Sequence, residues 1–488
     1  MARCSPLHWL CFAIAAASLA TAATTASAAD QIRPPGYEAG EDLPGGASTS
    51  RQPIDISAFK YPSANMAFDR RLDFRLGDAI FRRLWASAPS STTSSDGLGP
   101  FYNARSCQSC HIRNGRGHPP AAGEQPISLV LRLSVPPQNA DQADLLRRLE
   151  AAVIPEPTYG MQLQTFSVQG LLAEGQLHID YAEMPVSLAD GEIVSLRRPQ
   201  YHVTDLNYGA MRPHTMVSPR VAPPMIGLGL LELIPEAEIL KLADPEDLDG
   251  DGIAGRANRV WSRERGKAML GRFGWKAGTA TIADQTASAF AKDLGLSTHL
   301  IAASHGDCTP DEPACLSAPT GDDPSEKVEV TKTMFDLVVF FARNLAVPAR
   351  RQADGPAVLH GKRLFADAGC ASCHRPSFTT GGDPALPEQA PQKIRPYTDL
   401  LLHDMGDELA DGRPEGLANG RQWRTQPLWG IGLTETVSGH DLLLHDGRAR
   451  GILEAILWHG GEAETAKRKV MHMTKQDRAD LLAFIRSL

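Results

Sequence analysis

One pentapeptide, present twice, constrains this chain more than any other feature. Cys107-Gln108-Ser109-Cys110-His111 and Cys370-Ala371-Ser372-Cys373-His374 share the pattern C-x-x-C-H. Two thiols three positions apart sit on one turn and can reach the two vinyl groups of one haem, and the adjacent imidazole then meets the iron. A redox disulfide has no need of a His directly after it, still less twice. A zinc site would require both motifs to converge on one metal. The pattern therefore predicts two covalently attached c-type haems. Cys107, Cys110, Cys370 and Cys373 are the tethers, and His111 and His374 the proximal ligands.

The remaining cysteines place the chain in a compartment. Residues 1–28 read as a signal peptide, with Arg3 in a positive n-region, an apolar stretch from Leu10 to Ala23, and a small-x-small site at Ala26-Ser27-Ala28. Its removal takes Cys4 and Cys11 with it. Export and covalent haem both point to the periplasm, where oxidation is permitted. Cys308 and Cys315 flank a polar segment and are expected to form a local disulfide. A net charge of -8 with no local Lys/Arg block excludes a nucleic-acid partner. Beyond the leader no apolar run reaches spanning length, so no stable membrane span is expected. Hydrophobic residues at 42% exclude a disordered chain.

The two motifs lie in similar surroundings. Gly77-Asp78-Ala79-Ile80-Phe81 precedes the first and Gly361-Lys362-Arg363-Leu364-Phe365 the second. Each is followed by an Arg-Pro-Gly string, Arg220 to Leu230 and Arg424 to Leu433. Each copy then closes with an apolar-periodic helix, containing Asp336-Leu337-Val338-Val339-Phe340 and Asp480-Leu481-Leu482-Ala483-Phe484. The expected fold is mainly α: two cytochrome c-like haem domains, 29–345 and 346–488. The first is enlarged by a β-rich insertion at about 125–205, where Ser128 to Val135, Gln176 to Tyr181 and Ile193 to Arg197 read as strands.

Asp247-Leu248-Asp249-Gly250-Asp251-Gly252 has the first half of an EF-hand-type loop, but Asn258 stands where the bidentate Glu belongs. Asp247, Asp249 and Asp251 are candidate calcium ligands; a solvated acidic turn is the other reading.

Several longer strings give the chain a family likeness. They are Gly97-Leu98-Gly99-Pro100, Ser218 to Pro223, Gly271-Arg272-Phe273-Gly274-Trp275-Lys276, Leu402 to Gly406, His445-Asp446-Gly447-Arg448-Ala449 and His459-Gly460-Gly461-Glu462-Ala463. From about Phe74 to Leu488 the chain resembles the di-haem oxidoreductases, labelled peroxidases or thiol oxidoreductases, which belong with bacterial di-haem cytochrome c peroxidases and MauG-like enzymes. The resemblance implies one electron-transfer haem, here the second, and one haem that meets hydrogen peroxide. It implies a small redox protein as electron donor. It also places His459 as the distal ligand opposite His374, with Met405 and His445 as rivals. A lone His118 near the first motif reads as a loop residue. Over the first haem the resemblance implies a Gln and a Glu, here Gln162 or Gln164 with Glu174. Glu174 would move the peroxide proton, and Arg220 would stabilise the charge that develops. Trp261, Trp275, Trp429 and Trp458 are candidates to line the route between the haems. Peroxide reduction is the leading activity. Oxidation of a thiol or protein substrate and non-catalytic electron transfer are the alternatives.

Overall fold

The computed structural model describes residues 36–488 apart from 93 and 122, so the expected signal peptide lies outside the described residues. Its helices form where apolar residues recur at helical spacing and a capping group starts the turn. Helix α1 (Arg71–Phe81) buries Phe74, Gly77, Ile80 and Phe81. Helix α2 spans Ile282–Asp293 and starts at Thr281, whose hydroxyl accepts from Asp284 N. Helix α3 (Lys332–Asn344) is capped by Thr331 and buries Phe335, Val338, Val339, Phe341 and Ala342. Helix α4 (Pro356–Ala368) begins on a proline, whose missing N–H is spare in a first turn, and stops at Gly369 with φ 93°. Helix α5 (Lys475–Ser487) is capped by Thr474.

These helices form two matching pairs. On α1, a Cβ at Gly77 would overlap the Leu337 carbonyl oxygen of α3 and lie 2.7 Å from the Phe341 Cβ. On α4, a Cβ at Gly361 would overlap the Asp480 carbonyl oxygen of α5 and lie 2.8 Å from the Phe484 Cβ. The Arg-Pro-Gly strings repeat the match. Gly227 N donates to Leu345 O at 2.9 Å, and Gly430 N to Leu488 O at 2.9 Å. Gly229 abuts the Arg343 carbonyl just as Gly432 abuts that of Arg486. All these pairs keep one register, and it corrects the string alignment by one residue. Phe341, not Phe340, matches Phe484; both are fully buried, whereas Phe340 is half-buried.

The expectation of a mainly α chain is overturned. Helix accounts for 28% of the described residues and strand for 18%. With 43 Gly and 36 Pro, the long connections cannot run as helices and instead follow hydrogen-bonded loops. Strand β1 (Leu129–Ser134) lies within the anticipated insertion, but its partner does not. It pairs antiparallel with β4 (Met216–Val221), Leu129 opposite Val221. Strands β2 (Gln176–Ser187) and β3 (Ile193–Thr204) form a long hairpin, Gln176 opposite Thr204. Each described sheet has two strands.

Residues 36–488 belong to one unit with two main cores. One core joins Phe59, Trp85, Phe290 and Phe341 to Trp429 and Val437. The other joins Leu131, Tyr159 and Trp275 to Phe365, Trp423 and Phe484. The segment 346–355 between α3 and α4 is pinned, with Ser50 N donating to Val347 O at 2.9 Å and Arg350 N to Asp42 O at 2.9 Å. Cys308 and Cys315 are disulfide-bonded. No described helix is long and apolar enough to cross a membrane.

Candidate active site

Both C-x-x-C-H motifs sit in the same frame. The Phe81 ring lies 6.2 Å from that of His111 and 5.2 Å from Phe341. The Phe365 ring lies 6.2 Å from that of His374 and 5.2 Å from Phe484. His111 Nδ1 donates to Pro223 O at 2.8 Å, and His374 Nδ1 to Tyr397 O at 3.0 Å. A carbonyl only accepts, so the proton is on Nδ1 and the Nε2 lone pair is left for a metal. Burial lowers the pKa of both imidazoles, His374 to about 4, which keeps them neutral. The four motif thiols are unpaired. Burial pushes Cys107 and Cys370 up to about 12, the opposite of what a redox C-x-x-C needs.

A further imidazole lies near the second motif. His459 follows the helix Ile452–Leu457, and its Nδ1 donates to Ala455 O at 2.7 Å, which again leaves Nε2 free. A charge on His459 disfavours one on His374, so the two imidazoles are within electrostatic reach of each other. Of the rivals, His445 stacks on Trp423 with ring centroids 3.9 Å apart, and Met405 packs at the edge of the second core. His403 touches the second motif, its Nδ1 3.6 Å from Cys373 Sγ, but both ring nitrogens are taken by carboxylates. Its Nε2 lies 2.8 Å from Asp399 Oδ2 and its Nδ1 2.6 Å from Glu462 Oε2. Burial opposes its charge, yet Asp399 and Glu462 raise its pKa well above 6.5. This ion triad ties Leu402–Asp404 to the Gly460–Glu462 turn behind His459.

The first motif opens instead on a cavity of about 530 Å³. Cys107, Cys110 and His111 form part of its wall. Arg132 arrives from β1, Arg220 from β4, Lys292 and Asp293 from α2, and Arg413 and Glu415 from the C-terminal part of the chain. His111 is the one imidazole on this wall among the described residues. Burial alone would raise the Glu415 carboxyl, but Arg220 at 2.8 Å and Arg413 at 2.9 Å hold it well below the carboxylate range. Behind them Lys276, fully buried, donates to Asp411 Oδ1 at 2.7 Å, and burial pulls its pKa down to about 8.

The residues singled out over the first haem fall at different depths. Arg220 is on the cavity wall. Gln162 stands one layer behind, its Nε2 donating to Asp293 Oδ1 at 3.0 Å and to Asn103 Oδ1 at 2.5 Å. Gln164 Nε2 donates to Lys292 O at 2.7 Å. Glu174 is off the wall. Its Oε2 accepts from Gln164 N at 2.5 Å, and the Glu312 carboxyl acts on it electrostatically. His118 is also off the wall, its ring 5.0 Å from that of His440. Trp275 and Trp429 line the cavity, and so does Trp261, which is partly exposed; Trp458 lies in the second core.

Burial raises Glu174 well above the usual carboxyl value and Glu312 to about 7. A carboxyl whose folded pKa exceeds its unfolded value of 4.5 costs stability as pH rises through 4.5 towards 7, and costs nothing below that window. Glu312→Gln is therefore expected to raise Tm at pH 8 and to leave it unchanged at pH 4. Equal shifts at both pH values would show that Glu312 is not ionising inside the fold.

In the acidic loop, carboxylate oxygens of Asp244, Asp247 and Asp249 lie within 4.8 Å of one another. Asp251 is outside that group, its Oδ1 accepting from Ile253 N at 2.8 Å. Exposed acidic groups of this kind are common without an ion, so the loop carries no assignment.

Residues 40–488 match the family described as "Di-haem oxidoreductase, putative peroxidase". The chain belongs to this family. No curated protein matches it significantly. Among solved structures, Kuenenia stuttgartiensis hydrazine synthase pressurized with 20 bar xenon aligns over 91% of this chain and 96% of its own, at 13% identity and a TM-score of 0.30. A likeness that remote carries no argument about fold or chemistry.

The di-haem oxidoreductase has residues that fit the two haems its family implies. Each motif pairs unbonded thiols with an imidazole whose Nε2 is free, and the first also faces a cavity of ligand size. The strings that carry the family likeness build the walls. Trp275 Nε1 donates to Val221 O at 2.8 Å, Arg272 Nη1 to Leu231 O at 3.0 Å, and Lys276 anchors Asp411. Asp293, Lys292, Arg132 and Asp307 were not foreseen at this site. No local motif marks them, because the contacts that bring them to the cavity are between residues far apart in the chain.

Proposed function

We propose that this di-haem oxidoreductase is exported to the periplasm and binds both haems covalently, through Cys107 and Cys110 and through Cys370 and Cys373. In this reading it reduces hydrogen peroxide to water with electrons from a small redox protein. One observation carries it, the asymmetry of the two motifs. His459 lies near enough to act electrostatically on His374, whereas His111 faces a charged cavity with no second imidazole on its wall among the described residues. His374 and His459 would together hold an iron suited to electron transfer, and His111 alone, beside the cavity, would leave room for a substrate. Haem, when bound, supplies the redox chemistry, two electrons for each peroxide reduced.

The chain's own residues handle protons and charge. Asp293 Oδ1, held by Gln162 Nε2, is the carboxylate at the cavity wall that acts electrostatically on Cys107, Cys110 and His111. It is placed to hold a proton where substrate enters. Glu174, linked to the wall through Gln164 and the Lys292 carbonyl, is a proton store one layer back. Arg220, fixed by Glu415, faces the charge that develops on the departing oxygen. A chain of net charge -8 suits a basic donor protein.

Absorption and EPR spectra with and without peroxide test the reading. One high-spin and one low-spin haem are expected, with the high-spin signal moving when peroxide is added. Two permanently low-spin haems indifferent to peroxide would sink the enzyme reading. His459→Met is expected to raise the midpoint potential of the low-spin haem alone, because a thioether favours ferrous iron more than imidazole does. An unchanged potential would remove His459 as its ligand.

A further inference from the structure

The loop after the first motif carries a guanidinium that nothing in the chain satisfies. Arg116 lies five residues past His111, is 7% exposed, and lines the same cavity as Cys107, Cys110 and His111. Its Nε and Nη1 are buried without a hydrogen-bond partner. Burial alone pulls its pKa down to about 10, and no carboxylate offsets that effect. Other arginines on the wall have a carboxylate or a hydrogen-bond acceptor, although Arg220 Nη2 and Arg413 Nε make no hydrogen bond. Arg220 and Arg413 share Glu415, Arg132 faces Asp293 at 3.8 Å, and Arg424 donates to Gly274 O and to Gln426 Oε1.

Arg116 is also held in place. Its N–H donates to Ser438 Oγ at 2.9 Å, and its carbonyl accepts from His440 Nε2 at 3.1 Å. A Cβ on the preceding Gly115 would overlap the same Ser438 hydroxyl, so this close docking requires glycine. The guanidinium lies over the Trp275 ring, 5.4 Å from its centre. An aromatic face attracts a cation but does not accept its N–H bonds in the plane of the fork. A fixed, buried and unpaired cation beside a cofactor cavity calls for an anion. Haem carries two such groups, its propionate carboxylates, and a planar guanidinium fork matches a carboxylate.

We propose that Arg116 is the counter-ion of a propionate of the haem tethered at Cys107 and Cys110. The proposal rests on the reading that a haem is attached at that motif. Segment 437–440 thereby sets the electrostatics of the first haem from the far part of the chain. A cation beside the haem edge favours the ferrous state, so its removal lowers that haem's potential.

The test is potentiometry of the di-haem protein carrying Arg116→Gln or Arg116→Lys, with haem content counted by mass spectrometry. In Arg116→Gln the high-spin haem is expected to show a lower midpoint potential that becomes pH-dependent as the freed propionate titrates. The low-spin haem stays unchanged, and Arg116→Lys, which keeps the charge, lies nearer the original. Loss of the first haem in Arg116→Gln but not in Arg116→Lys would equally support the pairing. Two attached haems with both potentials unchanged in Arg116→Gln would overturn it. So would a potential that responds to added inorganic phosphate in the original protein and not in Arg116→Gln, since the guanidinium would then be taking an anion from solution. Absence of haem at Cys107 and Cys110 in the unmutated protein would instead refute the attachment reading.

Discussion

Replacing both cysteines of either motif by serine is expected to leave a protein with one haem and no peroxide turnover. The two losses should differ in kind. Cys370→Ser with Cys373→Ser removes the proposed electron-transfer site, so the high-spin signal and its response to peroxide persist while electrons from the donor no longer arrive. Cys107→Ser with Cys110→Ser removes the cavity site, so the low-spin haem still accepts electrons and peroxide goes unreduced. The distinction follows from the free Nε2 of His459 at one motif and the 530 Å³ cavity at the other. Mass spectrometry counts the haems, and steady-state turnover with a reduced cytochrome donor measures the loss. Turnover surviving in either double variant would show that the two motifs do not share one reaction.

Gly361→Ala is expected to be among the most destabilising single-methyl additions in the molecule. Its Cβ would run into the Asp480 carbonyl oxygen and come within 2.8 Å of the Phe484 Cβ. Both partners belong to α5, whose backbone cannot yield without moving Phe484 off Phe365, the ring beside His374. Overpacking of this sort costs about 1–3 kcal/mol, and a clash with main chain belongs at or above the upper end. Gly77→Ala makes the equivalent clash in the first copy, against Leu337 and Phe341. Gly382→Ala is the control, because its Cβ would meet ordinary contacts at 3.6 Å. Denaturant midpoints measure all three. A Gly361→Ala midpoint equal to that of Gly382→Ala would mean that α4 and α5 are not packed as described.

Much of the site was legible in the chain because the chemistry proposed for it is local. Two cysteines and a histidine must be neighbours to serve one haem, so the spacing alone predicts the tethers and proximal ligands. The duplication was legible too, though one residue out of register. The string Asp-Leu-x-x-Phe matches in letters, whereas packing matches Phe341 with Phe484, because burial depends on which face of α3 meets α1. Helix content was overestimated because a few strongly periodic segments were taken to represent connections dominated by glycine and proline.

What the sequence determined by itself is the pair of haem motifs, the repeated helix glycines and the family likeness that rests on them. The tertiary structure decided the rest: that Glu174 lies behind the cavity wall and not on it, that Asp293 and Lys292 stand at its surface, and that Arg116 waits there without a partner. The physical reason is range. A motif is set by residues a few bonds apart, but a cavity is set by which distant segments pack around it, and no spacing along the chain records that.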